Sequence, residues 1–464
     1  MEDKAVDKMK NKYAIPVSER ITYGFGNLAA NLMITTANAF ITYFYTDVVG
    51  LTISVVGTIL LFARLFDGVS DLVMGAIVDN TSSSKGKARP WIKRMIIPYG
   101  LALTLLFTSP SFLPDEMRAI YAFVTYVISL AGVYTMTMVP YSALIGTTTP
   151  DSKERGYLST SRTILGFIGA FLVNGVVLKI VEMYGAVTET SSWTKMAATL
   201  GLISVVLLTV LYGNSKERVL ETSEAISADN AQKFSTMDNI KAMIKNKYWL
   251  IIITVTLISF INAGFMGINI FYAQWILNDM SKVGLIGMLS FAPIIVSCLF
   301  APILLSRFSK RTIMIIGTVI SLIGSVILVL FPTNFTMIAA GLVVRGLGIA
   351  PVSVASFAML GDIADYGEWK TGIRSDGIIF AAATFGEKVG SGLGGWILGM
   401  VMALGGYVSG AATQSAATMF AIKSVFAYIP FVFGVVSIIL IFFYDLDTKL
   451  PDIIKDLEAR KGHE

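Results

Sequence analysis

The chain has 464 residues, of which 55% are hydrophobic and only 14% are charged, and its mean hydropathy is +0.71. Soluble domains carry about 25% charged residues, and a water-soluble fold of this size could not hide so much apolar surface. The composition therefore excludes a soluble enzyme, a disordered chain and a secreted disulfide scaffold. It predicts a membrane protein with many spans.

Cysteine and histidine are almost absent. Cys298 lies inside an apolar run, and His463 lies in the charged C-terminal stretch. A disulfide framework, a Cys- or His-ligated metal site and a His-dependent triad all need more of these residues. We therefore expect no enzyme activity, no cofactor and no bound metal other than a monovalent ion such as Na⁺.

Twelve stretches are apolar enough for membrane helices, which need about 20 residues each. They cover residues 22–45, 51–78, 95–112, 119–145, 157–181, 195–213, 248–275, 284–305, 313–331, 336–360, 377–403 and 420–444. No cleavable signal is expected in residues 1–20, which are charged. The pattern predicts an all-α membrane protein with 12 transmembrane helices in two six-helix bundles.

A long polar connection divides the twelve spans into two sets of six. The predicted bundles are residues 1–213 and 248–444, with a cytoplasmic middle loop at 214–247 and a cytoplasmic tail at 445–464. Two such bundles joined by an inner loop, with a site between them, form one large transporter architecture.

Basic residues are distributed unevenly between alternate loops. Most of the 36 Lys and Arg lie in the N-terminal segment, the loops after even-numbered spans and the C-terminal segment. The loops after odd-numbered spans hold only Arg118, Lys179, Lys195 and Lys282. This positive-inside pattern predicts a cell-membrane protein with both termini in the cytoplasm. It also explains the net charge of +5, so no nucleic-acid partner is expected.

The second span carries two carboxylates. Asp67 and Asp71 are four residues apart and share one helical face. A charge at the centre of a membrane helix costs roughly 2.5–3.5 kcal/mol, and neighbouring carboxylates repel unless a cation, a shared proton or a basic group lies between them. Arg64, three residues earlier, neutralises part of the charge. The pattern predicts a coupling-ion or proton site, with a structural Arg–Asp network as the alternative.

The eleventh span carries Glu387 and Lys388. Neighbouring side chains point about 100° apart on a helix, so only one of them faces a given cavity squarely. We predict that Lys388 pairs with the acids of the second span in competition with the ion, with a structural role as the alternative. Glu387 could pair with Arg162 or Arg345, or face the inner water.

Polar side chains in the first half also form a pattern that fits a sugar. Amides and hydroxyls recur every three or four residues along the first span, and the fourth and fifth spans add aromatic, hydroxyl and guanidinium groups. Such groups suit a polyhydroxylated solute, because its hydroxyls need hydrogen-bond partners and its ring faces stack on aromatic rings. Hydrogen bonding between helices is the alternative. The residues are Asn27, Asn31, Thr35, Asn38, Tyr134, Thr135, Thr137 and Arg162.

Several longer runs occur in order along nearly the whole chain. They are Tyr23-Gly24-Phe25-Gly26, residues 45–50, residues 63–67 with Asp71, residues 85–91, Val139-Pro140-Tyr141, and a loop at residues 365–370 with Gly372-Ile373-Arg374. Together they resemble the glycoside–pentoside–hexuronide:cation symporters, whose best-known member is the melibiose carrier. The resemblance implies the major facilitator fold and alternating access.

The resemblance also implies roles for individual residues. It assigns Asp67 and Asp71 to the cation site, with Thr135 and Ser70 supplying neutral oxygens, and it places Lys388 on a lysine characteristic of the family.

The resemblance also implies a set of sugar-binding residues, and at two of these positions this chain differs from the melibiose carrier. Asn31 and Met138 stand where the melibiose carrier has two sugar-binding Asp residues, and Arg162 matches a sugar-side arginine. Melibiose is therefore not the expected substrate, and a hexuronide or a neutral pentoside fits better. The full sugar-binding set is Asn27, Asn31, Thr35, Tyr134, Met138 and Arg162.

The predicted function is import of a glycoside, pentoside or hexuronide together with a monovalent cation. Na⁺, Li⁺ and H⁺ are all compatible with the acid pair. Charged residues at the cytoplasmic ends are expected to close that side in the outward state: Asp79, Lys85, Arg89, Asp365 and Arg374. The alternatives are a lysolipid or drug transporter of the same fold and a membrane receptor without transport activity.

Overall fold

The computed structural model describes residues 15–81, 83, 86–110, 112–219, 243–372 and 376–461, and these residues form helices and turns without any strand. The chain divides into two compact units, Met1–Ala231 and Gln232–Glu464. Nine helical stretches in the described part of the chain are long and apolar enough to cross a membrane. The expected all-α membrane architecture is confirmed, and twelve crossings stay a prediction.

The first unit consists of long helices, two of which contain π-helical turns. The helices are α1 (Val17–Tyr23), α2 (Phe25–Tyr43) with a π-helical end at Phe44–Val48, α3 (Ile53–Asp79), α4 (Arg89–Leu106), α5 (Asp115–Tyr126) continued by π-helical Val127–Tyr134, α6 (Thr135–Thr148), α7 (Ser152–Tyr184) and α8 (Thr190–Asn214). The chain runs from α5 to α6 without leaving helical conformation, so both belong to one long stretch.

The second unit is built in the same way. Its helices are α9 (Lys247–Gly264), a 3₁₀ turn at Phe265–Gly267, α10 (Ile268–Trp275), α11 (Lys282–Arg307), α12 (Lys310–Leu330), α13 (Phe335–Thr371), α14 (Asp376–Leu404), α15 (Ala416–Lys423) with π-helical Ser424–Tyr428, α16 (Ile429–Phe442) and α17 (Leu446–Lys461). The helix α17 lies in the segment predicted only as a tail. Its Ile453 and Leu457 belong to the apolar core of this unit.

Polar and apolar side chains are distributed as lipid requires. In α3, Asp67 is 1% exposed, whereas the neighbouring Phe66 is 54% and Leu72 is 64% exposed. A soluble helix has the opposite arrangement, because water solvates its charged face. Since lipid offers no hydrogen bonds, α3 keeps Asp67 inside the unit and turns its apolar side chains outward.

Two predicted boundaries are wrong. The third span was placed at 95–112, but α4 ends at Leu106, before Pro110, whose ring disfavours helical conformation in the preceding residue. Residues 365–370 were predicted as a loop, but they continue α13 as far as Thr371. The helix continues through Gly367 and ends at Gly372, which adopts a left-handed φ of +70°.

The N-terminus of α4 is closed by a carboxylate that follows α8. Glu217 accepts hydrogen bonds from the backbone N–H groups of Lys87, Ala88 and Arg89 at 2.7–2.9 Å. The Arg89 guanidinium in turn donates to the Tyr212 carbonyl at 3.2 Å, near the end of α8. A carboxylate at this position satisfies N–H groups that have no partner in the helix and interacts favourably with the helix dipole.

The second unit contains an equivalent arrangement. The Arg311 N–H in the first turn of α12 donates to Asp447 Oδ2 at 2.9 Å, and the Arg311 guanidinium donates to the Phe442 carbonyl at the end of α16 at 2.7 Å. In both units the carboxylate lies five residues after the carbonyl that binds the arginine. We call each set of contacts a terminal bracket: Arg89, Tyr212 and Glu217 in the first unit, and Arg311, Phe442 and Asp447 in the second.

Candidate functional site

The acid pair of α3 meets a hydroxyl from the first turn of α6. Thr135 Oγ1 lies 3.1 Å from Asp67 Oδ1 and 2.9 Å from Asp71 Oδ1. A hydroxyl has one proton to donate, so it satisfies one of the two carboxylates at a time. Asp67 and Thr135 are each 1% exposed, so little water is available to stabilise the remaining charge. A positive charge or a shared proton between the carboxylates would stabilise this arrangement.

Ser70 adds a fourth oxygen-bearing side chain. Its hydroxyl donates to the Asp67 carbonyl at 2.9 Å and lies 3.4 Å from Thr135 Oγ1. The structure therefore brings together all four predicted cation-site residues, although they come from segments more than 60 positions apart. Carboxylate and hydroxyl oxygens are hard ligands suited to hard cations. No group of three His, Cys, Asp or Glu that could hold a metal occurs among the residues the structure describes.

Arg64 contacts the acid pair from the same helix. Its Nη1 lies 3.3 Å from Asp67 Oδ2, and its Nη2 donates to Asn38 Oδ1 at 2.6 Å. The guanidinium is 6% exposed. The site thus has two carboxylates and one fixed positive charge, because an arginine keeps its charge in proteins.

The amides of the first span are engaged in hydrogen bonds with protein groups. Asn27 Nδ2 donates to the Arg162 carbonyl on α7, Asn31 Nδ2 donates to the Asn27 carbonyl, and Thr35 donates to Asn31 Oδ1, each at 2.9 Å. The first contact joins α2 to α7 and is the interhelical bonding that was the alternative to a sugar-binding role, whereas the other two lie within α2. They also fix the positions of side chains that could bind a solute.

The Arg162 side chain lies on an aromatic pair. Its guanidinium carbon is 5.3 Å from the centre of the Tyr141 ring, and Tyr141 stacks on Tyr23 with ring centres 4.8 Å apart. Each tyrosine hydroxyl donates to the other's carbonyl, at 2.8 and 2.9 Å. The motifs around these tyrosines therefore form one contact between α1 and α6.

Tyr134 and Met138 lie on the same helical stretch as Thr135. Met138 is 9% exposed, and the Tyr134 ring lies 6.5 Å from the ring of Tyr99. One long stretch thus carries residues predicted for both the cation and the sugar, so a shift of this stretch would affect both.

The residues predicted in the second unit are placed as follows. Lys388 is half-buried on α14, and the preceding Glu387 is exposed. Asp365 is half-buried on the helical extension of α13. The pairing of Lys388 with the acids of α3 stays a prediction.

The predicted cytoplasmic gate is described only in part. Lys85 and Arg374 lie outside the described residues. Asp79 is exposed at the end of α3, and Arg89 belongs to the terminal bracket of the first unit, with its guanidinium carbon 4.8 Å from the centre of the Tyr212 ring. Arg89 therefore has a structural role within its own unit, and its gating role stays a prediction.

Sequence reasoning missed an ion pair next to the bracket. Glu19, 4% exposed, accepts two hydrogen bonds from the Arg218 guanidinium at 2.6 and 2.9 Å and one from the Lys216 N–H at 3.1 Å. These hydrogen bonds raise the pKa of Arg218. The charged linker had no spacing pattern that predicted its partner almost 200 residues earlier.

Close packing at Gly166 on α7 positions Asn27. A Cβ atom at Gly166 would clash with Asn27 Nδ2. We expect Gly166→Ala to break the Asn27–Arg162 hydrogen bond and to lower sugar uptake at least fivefold, because overpacking costs about 1–3 kcal/mol. Gly156→Ala is the matched control on the same helix, since a Cβ there meets no atom within 4 Å. Equal uptake by both variants would contradict a role for Asn27 in transport.

Comparison with known structures identifies the class of protein. A crystal structure of a D-xylose-proton symporter superposes with a TM-score of 0.68 at 15% identity, covering 93% of this chain and 98% of that one. A likeness at this identity establishes the fold alone. The sequence comparisons, through the family to which the chain belongs, show that the protein is a multi-pass membrane transporter and not an enzyme.

The family follows from the sequence comparisons. Residues 22–448 match the family model described as MFS/sugar transport protein, and the chain belongs to this family. It is 30% identical over 459 residues to the isoprimeverose transporter of Lactiplantibacillus pentosus, covering 98% of this chain and 94% of that protein. It is 29% identical to the "Putative glycoside/cation symporter YagG" of Escherichia coli (strain K12), covering 96% and 95%. The resemblance stated from the motifs is confirmed.

Proposed function

We propose that this protein is a cation-coupled symporter that imports a glycoside, pentoside or hexuronide by alternating access. The observation that carries the proposal is the single hydroxyl of Thr135 placed between the carboxylates of Asp67 and Asp71. With Arg64 beside them, these groups have a net charge of −1, and one monovalent cation or proton neutralises it. The names of the two relatives support a sugar as the partner solute.

The sugar side of the proposal rests on Asn31, Met138 and Arg162. None of these is an acid, so the first unit offers amides, a thioether and a guanidinium to the solute. A guanidinium binds carboxylates well, which favours a hexuronide, while the amides also suit a neutral pentoside. Asn27, Thr35 and Tyr134 complete the proposed set.

The coupling follows from electrostatics. A cation at the acid pair removes the repulsion there and releases Lys388 from its proposed pairing with these acids. Stronger sugar binding to the cation-loaded form then implies stronger cation binding to the sugar-loaded form, a reciprocal coupling of typically about 1–3 kcal/mol. We place both termini in the cytoplasm and the protein in the cell membrane, with Asp79, Lys85, Arg89, Asp365 and Arg374 closing the cytoplasmic side.

Uptake into proteoliposomes tests this function. Purified protein is reconstituted and offered labelled isoprimeverose, a methyl pentoside, a glucuronide and a lysophospholipid, each with an inward Na⁺ gradient, an inward H⁺ gradient or no gradient. We expect one sugar class to accumulate only when one of the two gradients is present. Uptake of the lysophospholipid alone would favour the lipid-transporter alternative, and equilibration of sugar without response to either gradient would contradict symport.

A further inference from the structure

Arg64 is shared between two acceptors on different helices. Its hydrogen bond to Asn38 Oδ1 on α2 measures 2.6 Å, whereas its contact with Asp67 Oδ2 on its own helix measures 3.3 Å. An unstrained N–H···O bond between a guanidinium and a carboxylate is about 2.7–2.9 Å long. The guanidinium is therefore held closer to a neutral amide than to the adjacent carboxylate.

This unequal sharing matters because the site is buried. Arg64 is 6% and Asp67 is 1% exposed, and charge interactions are stronger where water is excluded. A cation arriving at the acid pair competes with Arg64 for the charge of Asp67. The closer Arg64 lies to Asp67, the weaker the cation binds.

We propose that Asn38 is a positioning residue that sets the cation affinity by holding Arg64 partly away from Asp67. The inference rests on the proposed cation site and extends it to a residue of the first span. The sequence pattern had grouped Asn38 with the amides of the sugar side, but its contact joins it to the cation side. The same bond connects α2, which carries that polar stripe, to the helix that carries the acid pair.

Two neutral tyrosines also lie near Arg64. Tyr126 is within hydrogen-bonding reach of the guanidinium and Tyr134 is within electrostatic reach of it, and neither carries a charge at physiological pH. The Thr135 hydroxyl lies 2.9 Å from Asp71 Oδ1. Asn38 is thus a neutral acceptor whose charge and size can be changed without altering the acids.

Two substitutions at Asn38 are expected to shift the cation affinity in opposite directions. Asn38→Ala removes the amide, so Arg64 moves onto Asp67 and the half-saturating concentration of the coupling cation rises about tenfold. Asn38→Asp offers Arg64 a second carboxylate, which draws it away from Asp67, and the half-saturating concentration falls by a similar factor. Asn174→Ala is the matched control, because Asn174 is 3% exposed on α7 and bonds only within its helix, to the Ala170 carbonyl, in the contacts described.

The measurement is sugar uptake into proteoliposomes as a function of the Na⁺ or H⁺ concentration, whichever drives uptake by the wild-type protein. Opposite shifts in the two Asn38 variants, with no shift in Asn174→Ala, support the inference. A fall in maximal uptake at unchanged half-saturation, or shifts of the same sign, would mean that Asn38 has only a structural role. Wild-type uptake that depends on neither cation would instead overturn the proposed symport.

Discussion

Asp67→Asn and Asp71→Asn are each expected to abolish cation-driven sugar accumulation. The wild-type site contains two carboxylates and one guanidinium, which contacts Asp67, and this leaves a net charge of −1 to attract a cation. Either substitution makes the site neutral while changing the side-chain volume very little. Since coupling of this kind is worth roughly 5- to 150-fold in affinity, accumulation should fall by at least about fivefold.

The two variants also provide a control on folding. The sugar is proposed to bind at other residues, so equilibrium binding or sugar exchange without a gradient should persist in both. Asp279→Asn is a matched control, because Asp279 lies in a turn of the second unit where it bonds Ser281 and pairs with Lys282. Accumulation at wild-type levels in both α3 variants would show that the acid pair is a structural network.

Thr135→Val is expected to weaken cation binding about tenfold. Valine has nearly the shape of threonine but lacks the hydroxyl that lies between the two carboxylates, and loss of one such polar contact in a buried site costs roughly 1–3 kcal/mol. The half-saturating cation concentration for uptake measures the effect. Maximal uptake should change much less, because the charge of the site is unaltered.

Thr135→Ser is the conservative counterpart. Serine restores the hydroxyl at the same backbone position, so its half-saturating concentration should stay within about threefold of the wild type. If Val and Ser at this position give the same cation dependence, the hydroxyl is not a ligand.

Much of the candidate site could be predicted because it is local in sequence. The spacing of Asp67 and Asp71 places them on one face of a helix. A charge in the bilayer without a neutralising partner is unfavourable, so this face is expected to bind a proton, a cation or a basic group. The partner hydroxyl, Thr135, is 64 residues beyond Asp71, and only the resemblance to known symporters pointed to it. The periodicity of one span shows which of its residues share a face, but it does not show which residues of another span that face contacts.

Predicting the role of a side chain from the helix face that it shares with others was less successful. Asn38 continued the spacing of the polar stripe, yet its side chain bonds Arg64 on α3. The α2 helix ends in a π-helical turn and packs against several others, so one regular stripe meets different neighbours along its length. Spacing predicted which residues share a face but not which partner each of them meets.

Helix ends were the least predictable part of the fold. Hydropathy defines the part of a helix that lies in lipid, but α13 extends past its apolar portion through Asp365 and Glu368 to Thr371. Charged residues outside the bilayer are compatible with a helix, so a fall in hydropathy does not end one. The helix ends instead at Gly372, which has a left-handed φ. The end of such a helix is clearer from the backbone geometry than from the composition.

The terminal brackets set the order in which each unit can be completed during synthesis. Arg89 bonds Glu217, which emerges from the ribosome 128 residues later, and Arg311 bonds Asp447, 136 residues later. Until that carboxylate has been made, the N–H groups that donate to it in the first turn of α4 and of α12 lack this partner, although Ser309 already accepts a hydrogen bond from the Thr312 N–H of α12. A nascent chain stopped before residue 217 would contain every helix of the first unit and still lack the contact that joins α4 to the segment after α8.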